Sequence, residues 1–227
     1  MNLLKNNMKI LFQGDSVTDN GRNREDLYDL GVGYPKYIAQ ALNNKYENIT
    51  VINKGISGDR TQDLVRRWKE DCLDIKPDLV SILIGINDTW RRFDLNEVTS
   101  EIEFEENYTY LLNEIKEKLN VPIIMIDPFI VTEREDQTRW RVDLDPKIQI
   151  IRKLAAKFGA YYIPIDSIFA AACCSTTSKF WEDGKYTARF AQQKDNESIY
   201  EFWAGDGVHP SNNGHKFIAY QWLKHII

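Results

Sequence analysis

Three cysteines, three histidines and no long apolar run set the first limits on this 227-residue chain. Cys72 stands alone, and Cys173 and Cys174 are adjacent. An odd count without CxxC spacing excludes a zinc ribbon and a disulfide framework. It suits a reducing, cytoplasmic location. No apolar stretch approaches the length of a membrane span. The opening residues, MNLLKNNMKILFQGDS, lack the extended apolar centre of a signal peptide, and Lys5 and Lys9 interrupt them. Excess positive charge is missing too. The 29 Lys and Arg are interleaved with 34 Asp and Glu, for a net charge of −5. That leaves no basic stripe for nucleic acid and no polybasic cluster for an anionic membrane. With 43% hydrophobic and 28% charged residues, the chain reads as one soluble domain over residues 1–227.

What is present alternates. Short β-branched runs predict strands at Met8–Gln13, Ile49–Asn53, Leu79–Ile84, Pro122–Ile126 and Tyr161–Ile165. Between and after them, amphipathic spacing predicts helices over Tyr34–Asn44, Thr61–Ile75, Ser100–Leu119, Asp145–Phe158 and Asn212–Ile227. The alternation argues for a parallel sheet with helices on both faces. One segment departs from it. Ser175–Phe202 is polar, charged and aromatic without a clear period. Long loops inside compact domains are usually functional, so 175–203 reads as an active-site or interface insertion.

Four short blocks carry chemistry. Ser16 follows the first strand in GDSVTD, Gly58 closes the loop after the second in NKGISGD, and Asn87 follows the third in GINDTW. His209 precedes the last helix in DGVHP, with Asp206 three residues before it. A serine can serve as nucleophile and a histidine as its base. A backbone N–H and a side-chain amide can hold an oxyanion. An aspartate can orient the histidine and stabilise its cation. Taken singly, each block has a plain structural meaning. GDS is an ordinary turn, Gly58 part of a βα connection, Asn-Asp an Asx-turn, and DGVHP a turn before a helix. What favours chemistry is the shared place of Ser16, Gly58 and Asn87: strand carboxyl ends line the ligand crevice of such a sheet. Of the other histidines, His215 reads as a packing or capping residue and His225 as a surface residue in the last helical turn.

In this order the blocks resemble the GDSL, or SGNH, hydrolase family. The resemblance covers essentially the whole chain. It implies a flavodoxin-like three-layer α/β/α fold around a central parallel five-stranded sheet. It implies a catalytic triad of Ser16, His209 and Asp206. It also implies an oxyanion hole from the Ser16 and Gly58 N–H groups and the Asn87 amide, with no cofactor and no metal. A narrower likeness, carried by KPDLVSILIGINDTWRRFD and the DPF segment, is to bacterial acetylxylan esterases. It implies removal of acetyl groups from carbohydrate, acetylated xylo-oligosaccharides first, through an acyl-enzyme. It also implies an intracellular homo-oligomer. The alternatives are a thioesterase or lysophospholipase of the same fold, or a non-catalytic carbohydrate-binding protein.

Aromatic residues are plentiful near the expected mouth: Trp90, Phe93, Phe129, Trp140, Phe180, Trp181, Tyr186, Phe202 and Trp203. Sugar rings pack on such faces, although at least half of these belong in a core or an interface. Arg91, Arg92 and Glu133 are available to hydroxyls. Asp15, Trp90, Arg91 and Trp203 are the expected substrate contacts. No aliphatic lid is visible, which disfavours long acyl chains. Interfaces favour large aromatics, so Trp140, Phe180, Trp181, Phe202 and Trp203 also motivate the homo-oligomer.

Overall fold

Alternation along each strand explains the layered architecture. In the computed structural model, which describes residues 3–174 and 198–227, Ile10 and Phe12 of β1 (Lys9–Gly14) join one apolar layer, and Leu11 between them joins the other. The same split divides β3 (Leu79–Leu83): Leu79 and Leu83 face one side, Val80 and Ile82 the other. It recurs in β4 (Ile123–Ile126), where Ile124 and Ile126 oppose Ile123 and Met125. A sheet buried on both faces needs apolar residues at nearly every position. Each such Ile or Leu contributes roughly 1.5–3 kcal/mol on burial.

With β2 (Thr50–Asn53) and β5 (Tyr161–Ile163), these strands form a parallel five-stranded sheet in the order β2-β1-β3-β4-β5. One face is covered by α2 (Tyr34–Asn43), α8 (Ile165–Cys174) and α10 (Asn212–Ile226). The other is covered by α3 (Thr61–Trp68), α5 (Glu101–Lys118) and α7 (Arg141–Phe158). The chain is therefore the expected three-layer α/β/α fold of flavodoxin-like order. In that order the connections from β1 and β3 leave in opposite directions, opening a crevice between their carboxyl ends. Among the described residues no helix is long and apolar enough to cross a membrane.

The elements differ from expectation at specific places. Beyond Trp68, α3 continues as a π turn, Lys69–Leu73, rather than running on to residue 75. α7 begins four residues before Asp145, with Pro146 inside it. The carbonyl that Pro146 leaves without an N–H belongs to Val142, which is exposed, so the missing bond is tolerated. Five helices among the described residues were not foreseen: the short α1 (Ser16–Asp19) and α6 (Glu135–Thr138), α4 (Ile86–Asp94), α8, and α9 (Ile199–Trp203), which starts with a Ser198–Glu201 capping box. Of the expected insertion, 175–197 lies outside the described residues, together with Phe180, Trp181 and Tyr186.

Candidate active site

The turn out of β1 is set by glycine. A Cβ on Gly14 would sit 2.4 Å from the Leu83 carbonyl and 2.2 Å from Thr18 Oγ1. Only a residue without a side chain lets β1 pass so close to β3 and turn at once into α1 (Ser16–Asp19). Asp15 caps that short helix, its Oδ1 accepting the Val17 N–H at 3.0 Å. Ser16 is the first residue of α1 and is partly exposed at the crevice.

The partners arrive from the far end of the chain. Ser16 Oγ lies 2.8 Å from His209 Nε2, and His209 Nδ1 lies 2.6 Å from Asp206 Oδ2. The other Asp206 oxygen accepts the N–H groups of Val208 at 2.9 Å and His209 at 2.6 Å. The loop that carries the histidine is thus folded around the carboxylate that orients it. It is tied to the loop after β4, where the Val131 N–H donates to the Gly207 carbonyl at 2.8 Å. Gln137 Nε2, from α6 (Glu135–Thr138), donates to the Asp206 carbonyl at 2.8 Å.

Burial pushes the Asp206 carboxyl up, but hydrogen bonds from the His209 ring and the two amides outweigh it and bring its pKa down to about 2. An ionised Asp206 only accepts, so Nδ1 of His209 donates to it, leaving Nε2 free to take the Ser16 proton. The same hydrogen bond raises the His209 pKa above its ordinary value. Partial burial opposes the rise, and the Asp206 and Asp15 charges add to it.

Gly58 and Asn87 converge on one loop. Gly58 has φ +91°, a conformation L side chains rarely adopt, and a Cβ there would meet nothing within 4 Å. Asn87 sits in the first turn of α4, which Gly85 starts at φ +133°. Asn87 Nδ2 donates to the Asp59 carbonyl at 3.0 Å, directly beside Gly58. That nitrogen carries a second hydrogen, available to a bound oxyanion. The next residue, Asp88, is buried and accepts the Thr61 N–H at 3.0 Å and the Thr61 hydroxyl at 2.7 Å, joining α4 to the start of α3. Burial pushes its carboxyl up to about 6.

The four expected substrate contacts divide. The Trp90 ring centre is 5.9 Å from that of His209 and 5.4 Å from that of Trp140 beneath it. The Arg91 guanidinium lies 5.2 Å above the Trp90 ring and pairs with Asp94. Both residues are partly exposed at the site. Trp203 is a correction: it is 0% exposed, packed among Phe169, Phe202 and Phe217 in the core layer. Asp15 is a second: it too is 0% exposed, with Oδ1 capping the helix, so it lies behind the nucleophile rather than in the open crevice. Burial pushes its carboxyl up to about 7.

Phe129 and Phe202 are likewise core residues. Phe93 stacks on the largely buried Trp140 at 5.7 Å. Arg92 is held by Asp143 at 2.7 Å, and Glu133 accepts the Ser198 hydroxyl at 3.1 Å. His215, expected to pack or cap, is 3% exposed beside Tyr34, and burial lowers its pKa to about 4. His225 meets the Gln221 carbonyl one turn back at 2.7 Å.

The sequence reading did not single out Asp19 or Asp88. Both stand inside the quoted blocks, three residues after Ser16 and one after Asn87, where a helical face brings them inward. Trp140, expected near the mouth or in an interface, is 6% exposed and packs against Trp90 and Phe93.

The sequence model of the GDSL-like lipase/acylhydrolase family matches residues 12–217. An acetylxylan esterase of Geobacillus stearothermophilus is 33% identical over 227 residues, covering 96% of this chain and 93% of its own. The crystal structure of that organism's acetylxylan esterase Axe2 superposes with TM-score 0.79 at 33% identity, covering 100% of this chain and 96% of its own. A structure of its catalytic histidine-to-alanine mutant gives TM-score 0.80 at 31% identity, covering 99% and 96%. Catalytic mutants of its serine and of an aspartate have also been solved.

Proposed function

The chain belongs to the GDSL-like lipase/acylhydrolase family and is a carboxylic ester hydrolase, and we propose that it removes acetyl groups from short carbohydrates, acetylated xylo-oligosaccharides first, through a Ser16 acyl-enzyme. The observation that carries this reading is the unbroken relay from Ser16 Oγ through His209 to Asp206 at 2.8 and 2.6 Å. The relative whose catalytic mutants replace a serine, an aspartate and a histidine supports it.

In the proposed reaction Ser16 Oγ attacks the acetyl carbonyl while His209 Nε2 takes its proton. The negative charge that develops on the carbonyl oxygen is met by the N–H groups of Ser16 and Gly58 and the Asn87 amide. His209 then gives the proton to the departing sugar oxygen. A water, deprotonated by the same imidazole, releases acetate and restores Ser16. The scheme calls on no metal and no organic cofactor. Trp90 offers its ring to a sugar face beside His209, with Arg91 next to it for hydroxyls. Three free cysteines fit a cytoplasmic place of action.

Acetate release from acetylated xylo-oligosaccharides, chitin fragments, pectin and acyl thioesters tests the substrate class. The xylo-oligosaccharides should give the highest kcat/KM. A preference for long-chain thioesters would overturn the carbohydrate reading and favour the thioesterase alternative. Removing the Asn87 amide tests the oxyanion hole. Asn87→Ala should cost about 3 kcal/mol of transition-state stabilisation, a fall of about a hundredfold in kcat with KM nearly unchanged. A rise in KM alone would assign Asn87 to ground-state binding.

A further inference from the structure

Asp19 stands three residues after Ser16 on α1 and is 4% exposed. The proposed reaction does not use it, yet its Oδ2 accepts three hydrogen bonds. Two come from Ser57, from the N–H at 3.0 Å and the hydroxyl at 2.7 Å, and the third comes from Arg24 at 2.5 Å. Ser57 and Gly58 are the central pair of a turn closed by the Asp59 N–H to the Ile56 carbonyl at 3.1 Å. A positive φ at the third position, here Gly58 at +91°, is what a type II turn requires. The peptide between Ser57 and Gly58 carries the N–H that would face the oxyanion. That central peptide is also the unit that differs between type I and type II turns, and flipping it reverses the N–H.

The loop is secured at both ends. The Gly55 carbonyl accepts Arg22 Nε at 3.1 Å and Nη2 at 3.0 Å, and the Gly55 N–H donates to Asn53 Oδ1 at 2.9 Å. The Asp59 carbonyl accepts from Asn87. Between those ends the two side-chain hydrogen bonds to Ser57 both go to Asp19. Gly58 has no side chain to hold it, and the space around its Cα is open.

We propose that Asp19 is a positioning residue for the oxyanion hole: by gripping Ser57 it keeps the Ser57–Gly58 peptide turned so that its N–H faces the site of Ser16. This inference rests on the esterase reading above. Because Asp19 and Ser16 share one short helix, nucleophile and donor are referenced to a single rigid turn. Burial works against the charge of Asp19, but hydrogen bonds from Arg24 and Ser57 outweigh it and hold its pKa below the ordinary value. The grip is therefore an ionised acceptor, and charge-assisted hydrogen bonds are the stronger kind.

The test measures kcat and KM on p-nitrophenyl acetate, with thermal melts, for the wild-type protein and three variants. Asp19→Ala should lower kcat roughly tenfold to a hundredfold, with KM within about twofold. Asp19→Asn keeps an acceptor at the same reach and should recover most of that loss. Ser57→Ala alters an exposed loop residue and removes one of the two bonds; kcat should fall roughly threefold to tenfold with an unchanged melt. Wild-type kcat in folded Asp19→Ala, a loss confined to KM, or Asp19→Asn as slow as Asp19→Ala would each overturn the proposal. If Asp19→Ala fails to fold, Ser57→Ala decides, and an unchanged kcat overturns it. No ester hydrolysis by the wild-type protein would remove the esterase reading, and this inference with it, before any variant is compared.

Discussion

Replacing Ser16 by alanine should lower acetate release by about four to six orders of magnitude and leave the fold in place. A nucleophile, its base and the orienting carboxylate act as one unit, so loss of the first member removes nearly all the acceleration they supply together. A remnant over the uncatalysed rate should survive, because donors such as Asn87 and Gly58 still polarise a bound carbonyl. Stability should change little. Ser16 is partly exposed, and among the described residues its hydroxyl bonds only to His209, which is itself partly exposed and keeps its bond to Asp206. The variant's thermal melt should therefore match the wild type. Fluorophosphonate labelling should also disappear with Ser16. A folded Ser16→Ala protein that keeps even about 1% of wild-type turnover would remove the covalent mechanism.

The second large effect concerns the base and its orienting carboxylate. Only neutral imidazole accepts the Ser16 proton, so activity should be lost as pH falls through the His209 pKa. That pKa is raised, first by the Asp206 hydrogen bond, so the acid limb of the kcat/KM profile should lie above the ordinary histidine value of 6.5. Asp206→Asn removes the anion that favours the imidazolium. The limb should move to lower pH, and the maximal rate should fall roughly a thousandfold to ten-thousandfold as the tautomer is no longer fixed. Moving down in pH and down in rate together is the signature. An Asp206→Asn profile with an unmoved acid limb would show that some other group sets the ionisation. A profile flat between about pH 5 and 8 in the wild type, with chemistry limiting, would remove His209 from the role altogether.

The strands were readable because a sheet covered on both faces needs apolar residues at nearly every strand position, as LVSILI and PIIMI supply. The first three blocks were readable because each put a particular residue type at a strand end, and DGVHP because it set an aspartate three residues before a histidine just ahead of the last helix. Helix α4 escaped attention. Its first residues, GINDTW, resemble a polar turn, although Ile86, Trp90 and Phe93 repeat at helical spacing and Asp88 followed by Arg91 and Arg92 suits the helix dipole. The misplacement of Trp203 had a different cause. Neighbouring residues in sequence say that an aromatic is near the mouth, but not whether its ring turns outward. Here the answer came from Phe169 and Phe217, in other helices.

The sequence by itself determined the sheet, its layers and the kinds of groups that meet at its carboxyl edge. Those follow from periodicity and from residue chemistry, which are local properties of the chain. Only the tertiary structure decided which members of each block work on substrate and which hold the others in place. Asp15 and Asp19 flank Ser16 in one hexapeptide, yet one is sealed behind the helix cap and the other reaches across to Ser57. Asn87 and Asp88 are adjacent, yet one lies beside Gly58 and the other anchors Thr61. Neighbours on a helix point about 100° apart, so what each meets depends on elements distant in the chain.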